Sequence, residues 1–230
     1  MPLLTPARRQ GAEILDDPAT PPAIRERSMR DLPRSNALLG GAHALLAELR
    51  RVLPTLGPRA TLLDVGTGLA DLPARAARLA RRHGVALTTI GCDGSELLLR
   101  LGRARVTHAA CGHALALPFA DRSVDVVTCS QVLHHFAHDD AVTLLRELHR
   151  VARRAVIVSD LRRHWIAAAG FWLASFPLGF HRVTRHDGVV SVLKGFTPGE
   201  LAVLSAEAGA PGARVRRRVA FRLTASWGVA

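Results

Sequence analysis

The segment Leu62 to Asp71, LLDVGTGLAD, concentrates residues able to do chemistry. An apolar run passes through Asp64. Gly66 and Gly68 with Thr67 between them then permit a tight turn and close approach of a ligand to the backbone, and a helical pattern starts near Leu72. Asp71 stands where a dinucleotide fingerprint G-x-G-x-x-G needs its third glycine, and its carboxylate would face a pyrophosphate, which argues against a nicotinamide dinucleotide. No Gly-Lys-Ser/Thr follows, so the loop is not a phosphate-cradling P-loop. Asp64 instead suits a ligand that brings an ammonium group to the carboxyl end of a strand. One β-α unit later, Ile90-Gly91-Cys92-Asp93 is followed by Gly94, and Asp93 is placed to accept both hydroxyls of a ribose.

An ammonium and a ribose on one ligand describe S-adenosylmethionine. With LLDVGTGLAD, with GCDGS, with HALALPFADRSVDVVTCSQVLHHF from His113 to Phe136 and with LLRELHRVARRAVIVSD from Leu144 to Asp160, the chain resembles the class I S-adenosylmethionine-dependent methyltransferases, in particular their UbiE-like, type 11 small-molecule branch. The resemblance covers roughly Thr61 to Asp160. It implies S-adenosylmethionine as cofactor and S-adenosylhomocysteine as product. It also implies that the loop of Asp64, Gly66, Thr67 and Gly68 cradles the methionine part, and that Asp93 with Gly94 binds the ribose. His113-Ala114 would border the adenine, and the segment opened by Ser130 would line the sulfonium side. Where His113 stands, the family commonly has an aspartate that accepts from the adenine amino group; His113 would do so through a neutral ring nitrogen.

Methyl transfer from a sulfonium is an in-line displacement in which the protein positions the nucleophile and removes its proton. Histidine is the natural base near neutral pH. His134 and His135 are candidates by position after the fourth strand, and His186 by the order Thr184-Arg185-His186-Asp187-Gly188, in which Asp187 could orient an imidazole. No metal is expected. His134 and His138 have i, i+4 spacing without a third ligand, and of the strand-end positions that carry metal ligands in catechol methyltransferases only Asp160 fits. Cys92, Cys111 and Cys129 form no C-x-x-C pair and read as small buried packing residues of a protein in the reducing cytoplasm.

The elements that must hold these residues follow from the periodicity of a chain of 230 residues, 48% hydrophobic and 22% charged. Strand-like runs at Ala60–Val65, Val85–Cys92, Arg105–Ala110, Val124–Ser130 and Ala155–Ser159 alternate with helical stretches such as Leu72–His83 and Asp140–Val151. Thr197-Pro198 opens a further helix, and the runs 213–219 and 221–229 close the chain as an antiparallel pair. The expected fold is an α/β, doubly wound, mostly parallel seven-stranded sheet of Rossmann-like type. Residues 1–58 are expected as a helical cap, with Arg30, Arg34 and Asn36 near the cofactor, and 59–230 as the methyltransferase domain.

Residues 161–196 read as an apolar insertion covering a greasy acceptor, flanked by Arg162, Arg163, Arg182 and Arg185. Its apolar run Trp165 to Phe180 would reach ~24 Å as a helix against a ~30 Å hydrocarbon core, so a membrane span is not expected, although peripheral contact is. No apolar stretch follows the N-terminal charges as a secretory leader requires. The net charge of +12 would favour nucleic acid, but with one lysine and one asparagine it reads as coding bias, and no recognition domain accompanies it. The expected reaction is O-methylation of a phenolic polyketide, phenolic lipid or hydroquinone. C-methylation of a quinone-like acceptor, or an RNA or protein substrate, is the alternative.

Overall fold

Successive side chains of a strand point to opposite faces, so a run apolar at nearly every position must be covered on both sides. All seven residues of Val124–Ser130 are buried, and this strand is the middle one of the sheet. The computed structural model describes residues 40–229 without a break and, before them, 4–9, 11, 13–17, 19–21, 23, 24, 27, 28 and 31. In chain order the elements are α1 (Gly41–Val52), β1 (Arg59–Val65), α2 (Asp71–Arg81), β2 (Ala86–Asp93), α3 (Glu96–Gly102), β3 (His108–Cys111), β4 (Val124–Ser130) and α4 (His138–Val151). They continue as β5 (Ala152–Leu161), α5 (Trp165–Ala174), α6 (Arg182–Lys194), α7 (Pro198–Glu207), β6 (Arg214–Arg218) and β7 (Arg222–Gly228). The sheet order is β3-β2-β1-β4-β5-β7-β6. The first five strands run parallel, and β7 lies antiparallel between β5 and β6.

Neighbouring residues of one strand serve the two layers. Leu63, Val127 and Val156 pack with Leu144 and Leu148 of α4 and Leu201 of α7, whereas Leu62, Val126 and Ile157 pack with Leu45 and Leu49 of α1 and Leu79 of α2. Strand order reverses direction between β1 and β4, and it is outside the carboxyl ends of strands at such a switch that a doubly wound sheet leaves a crevice.

Two strands differ by more than one residue from the sequence expectation. The third strand starts at His108 because Arg103–Arg105 form a 3-10 turn and Thr107 is tied to Thr89. The fifth extends over Ala152–Leu161 because β7 offers a ladder as far as Leu161. α7 begins as expected: Thr197 Oγ1 accepts from Glu200 N–H, Glu200 Oε2 accepts from Thr197 N–H, and Pro198 needs no partner for the N–H it lacks.

The helix expected from Ala42 is α1, but it is a layer of the domain rather than a cap. Its Glu48, 1% exposed, accepts from Arg216, Arg218, Thr224 and Ser226 of β6 and β7. The helix expected over residues 23–30 is helical at 23, 24, 27 and 28, while Arg30, Arg34 and Asn36 lie outside the described residues. The described residues Pro6, Arg8, Arg9, Glu13, Ile14 and Leu15 run along α6 and the strand end before it instead. Arg9 N–H donates to Leu193 O (3.0 Å), Arg8 Nε to Lys194 O (2.8 Å) and Arg163 Nε to Pro6 O (2.8 Å). The insertion 161–196 divides into α5 and α6, packed so closely that a Cβ on Gly188 would lie 2.1 Å from the ring of Phe171. No helix among the described residues is long and apolar enough to cross a membrane.

Candidate functional site

A cleft of about 860 Å³ opens at the carboxyl ends of the strands, roomy for a single small ligand and sufficient for a cofactor beside an acceptor. The loop between β1 and α2 forms its floor. Gly66 N–H and Thr67 N–H both donate to Cys92 O of β2, at 2.8 and 3.1 Å, which folds the loop back over the neighbouring strand. Gly66 has φ +69°, and a Cβ there would sit 2.3 Å from Val132 Cγ2; Gly68 has φ +53° with open space beside it. Asp93 Oδ2 accepts Gly68 N–H (2.8 Å) and Oδ1 accepts Ser95 N–H (2.9 Å). Each carboxylate oxygen retains a lone pair, so Asp93 clamps the loop while still able to receive a hydroxyl. Gly66, Thr67, Gly68, Asp93, Gly94, His113, Ala114 and Ser130 all line this one cleft.

Asp64 does not. It is 2% exposed, lies behind the loop and accepts Thr128 Oγ1 at 2.7 Å. Burial pushes its carboxyl up to about 7 against that hydrogen bond, with Asp71 and Asp93 adding repulsion. The acid that the loop presents to the cleft is Asp71, the first residue of α2. Among the described residues Asp71 Oδ2 and Ser130 Oγ are buried without a hydrogen-bond partner, and both residues line the cleft. A ligand with a cationic, hydrogen-donating amino acid end satisfies both atoms, and the residues present therefore fit S-adenosylmethionine.

His113 also departs from expectation. Its Nδ1 already accepts Leu115 N–H (3.2 Å), so in the neutral ring Nε2 carries the proton and is a donor rather than the acceptor that an adenine amino group needs.

The opposite end of the cleft is made by α5, α6 and the turn Leu133–His135. His134 is 3% exposed, and its Nδ1 lies 2.7 Å from Oδ1 of the fully buried Asp160 at the end of β5. Asp160 also accepts the backbone N–H groups of His134 (3.2 Å) and Leu161 (2.6 Å). Burial alone would raise the Asp160 carboxyl, but His134 and these donors hold it below its ordinary value. With Asp160 ionised, the Nδ1 proton is fixed on its side of the ring, and the Nε2 lone pair is left for the cleft. His135 stacks on His134 with ring centroids 4.3 Å apart.

His186 is not part of this cleft. It lines a separate groove with Trp172 and Arg182. Asp187 does orient its imidazole, Oδ1 lying 2.9 Å from His186 Nδ1, and also accepts the Ile14 and Leu15 N–H groups (3.0 and 2.9 Å), anchoring the N-terminal segment, but the imidazole lines the groove and not the cleft.

That segment brings in Glu13, to which no motif in the sequence points. Its Oε1 lies 3.9 Å from His134 Nε2, 3.8 Å from His135 Nδ1 and 3.3 Å from Lys194 Nζ. The three side chains of Glu13, His134 and His135 are close enough to share an ion. The Lys194 ammonium occupies the cationic place beside the carboxylate, which favours an acid–base cluster over a metal centre. His138 pairs with Glu207 on α7 (2.7 Å) and takes no part in the site. Arg222, from β7, reaches the cleft and donates to Gln131 Oε1 (2.6 Å); burial lowers its guanidinium to about 10. Only pairing β7 against β5 brings Arg222 there. Of the cysteines, Cys92 and Cys129 are buried, whereas Cys111, on the edge strand, is exposed and not a packing residue.

Residues 63–158 match the family model described as a methyltransferase domain. The chain is 33% identical over 121 residues to a demethylmenaquinone methyltransferase of Corynebacterium kroppenstedtii, covering 52% of this chain and 48% of the relative. To the ubiquinone/menaquinone biosynthesis C-methyltransferase UbiE of Paraburkholderia xenovorans it is 29% identical over 139 residues, covering 57% and 55%. The chain thus spans about half the length of the curated relatives it matches. In fold it is similar to a magnesium protoporphyrin IX methyltransferase from Synechocystis crystallised with bound S-adenosylmethionine, at 13% identity and a TM-score of 0.55, over 94% of this chain and 88% of that one. With the strand order, the glycine loop and the carboxylate-lined cleft in place, residues 63–158 match a methyltransferase domain, and the chain is similar in sequence to the UbiE-like methyltransferases and in fold to a class I S-adenosylmethionine-dependent methyltransferase.

Proposed function

We propose that this chain transfers a methyl group from S-adenosylmethionine to a small hydrophobic acceptor bearing a phenolic or hydroquinone hydroxyl, with the oxygen as the methylated atom. The observation that carries the reading is the His134–Asp160 pair at the acceptor end of the cleft, next to Ile166, Ala167 and Phe171 of α5. S-adenosylmethionine supplies an electrophilic methyl group on a sulfonium. Asp93 and Gly94 would hold its ribose, Asp71 and Ser130 its amino acid end, Gly66, Thr67 and Gly68 its methionine backbone, and Ala114 its adenine. His134 Nε2 takes the hydroxyl proton, Asp160 stabilises the imidazolium so formed, and the acceptor oxygen is left as a phenolate in line for displacement. The apolar side chains of α5 keep water from the phenolate.

C-methylation is the second reading, favoured by the relatives, which are named for demethylmenaquinone and for quinone C-methylation. Proton removal by His134 serves it too, since a phenolate is nucleophilic at ring carbon. A nucleic-acid substrate finds less support, because Arg216 and Arg218 of the basic cluster 214–218 are engaged by Glu48.

The test is to incubate the full chain with labelled S-adenosylmethionine and a panel of phenolic lipids and hydroquinones, and to locate the new methyl by NMR. An O-methyl product supports the first reading and a C-methyl product replaces it with the second; no transfer to any member overturns both. His134→Gln should lower kcat by about 10²- to 10⁴-fold with cofactor affinity unchanged by calorimetry.

A further inference from the structure

A helix apolar on all sides belongs in a protein core or against lipid. α5, WIAAAGFWLA, has no charged residue, yet only Ala168 of its ten residues is buried. One side, with Ala167 and Phe171, lines the acceptor end of the cleft. On the rest of its surface and just beyond its end, Trp165, Trp172, Leu173 and Phe176 are each about half exposed or more. Ile166 and Gly170 are both exposed and cleft-lining, so the cleft opens beside this face.

The accessible charge on the insertion is basic. Of the five Lys and Arg in residues 161–196, Arg163 and Lys194 are buried against Glu200 and Glu13, which leaves Arg162, Arg182 and Arg185. The other acids that face this span, Asp187 and Asp31, are buried and accept hydrogen bonds from Ile14, Leu15 and His186 and from His181 and Thr184. Arg9 and Arg182, both exposed, line with Arg185, His186 and Trp172 a groove of about 260 Å³ next to the apolar face. The Arg185 guanidinium lies 3.6 Å from the centroid of Phe176, bringing the cationic and apolar parts into contact. Tryptophan at the boundary and arginine around it are what a phospholipid surface receives, the indoles at headgroup depth and the guanidinium groups on phosphates. A ten-residue helix is ~15 Å long and cannot cross a ~30 Å core, so it would lie along the surface.

We infer that the exposed face of α5, with Arg9, Arg182 and Arg185, docks the molecule on an anionic membrane surface, so that the mouth of the acceptor cleft faces the lipid. An apolar acceptor then passes from bilayer to cleft beside Ile166 and Gly170 without crossing water. The docking is separate from the methyl-transfer chemistry and is read without methyl donor, so the two fail independently.

Full-length protein is titrated with vesicles of phosphatidylcholine alone and of phosphatidylcholine with phosphatidylglycerol, and followed by flotation and tryptophan emission. Trp227, the remaining tryptophan, is 7% exposed and donates to His149 Nδ1, so a change in emission reports Trp165 and Trp172. Expected are binding to the anionic vesicles with a blue shift, weakening with salt, about fivefold weaker binding for Arg182→Gln and about tenfold for Trp172→Gln. Both side chains are exposed, and melting curves check that the variants fold; if Trp172→Gln does not, Trp165→Gln takes its place. Absence of binding, or equal binding to both vesicle types, overturns the inference. So does a dimer in sedimentation equilibrium that Trp172→Gln dissociates, since the face would then belong to a second copy of the chain.

Discussion

Asp64 and Asp160 stand near the carboxyl ends of β1 and β5, both almost wholly out of water, and their carboxyl groups are shifted in opposite directions. The difference is in the company. Asp64 has the Thr128 and Thr67 hydroxyls against two acidic neighbours, so desolvation wins, while Asp160 has an imidazole and two backbone N–H groups, which outweigh it. Since the folded-state value of Asp64 lies above its ordinary 3.8, the stability linked to it is fully present below about pH 4 and is lost as pH rises through about 7. Asp64→Asn keeps an acceptor for Thr128 and removes the buried charge. At about pH 8 the ligand-free variant should melt above the wild type, and its stability should vary less between about pH 5 and 8; parallel pH curves for the two proteins would sink the assignment.

Among elements, the turn from β1 into α2 has the least freedom to vary. Gly66 combines a left-handed backbone with a Cβ direction blocked by Val132, so Gly66→Ala adds about 1–2 kcal/mol of backbone strain and pushes against the segment that follows β4. Binding of S-adenosylhomocysteine, measured by calorimetry, should be lost or weakened by at least about tenfold, with the fold retained by circular dichroism. Binding unchanged by the substitution would place the ligand away from this turn. The glycines of this loop were legible in the sequence because a strand running into a glycine turn and then a helix is a local pattern. Which carboxylate the turn offers was not: Asp64 and Asp71 are both near the glycines, and only the rotation of the strand and the start of α2 put the first behind the loop and the second in the cleft.

At the scale of the whole molecule, distant segments converge on a few buried charges. Glu48 ties α1 to β6 and β7, and burial, which works against its ionisation, is more than offset by Arg218, Thr224 and Arg216. Its carboxyl is therefore held below the ordinary 4.5, so the stability it contributes is present above that pH and lost as pH falls through the folded-state value. Glu48→Ala leaves two arginines facing each other and should cost about 3 kcal/mol, the low end for a broken buried pair since both guanidinium groups keep some water. That corresponds to a fall in melting temperature on the order of 10 °C in calorimetry; a change within about 2 °C would show that solvent already carries these charges.

The sequence by itself determined the alternation of strands and helices, the glycine turn and the acid closing β2, because each rests on periodicity or on contacts within a few residues. It also marked the insertion as apolar, but not that α5 would keep half of its surface in water. Tertiary structure decided the acceptor end of the site. His134 acquires Asp160 across 26 residues and Glu13 from the far end of the chain, Arg222 arrives only through the antiparallel β7, and His186, one residue from a cleft-lining aspartate, turns outward. A helix or strand dictates which face a side chain takes once it is packed, but which face is packed is settled by the sum of buried contacts over the whole sheet, and no local pattern contains that sum.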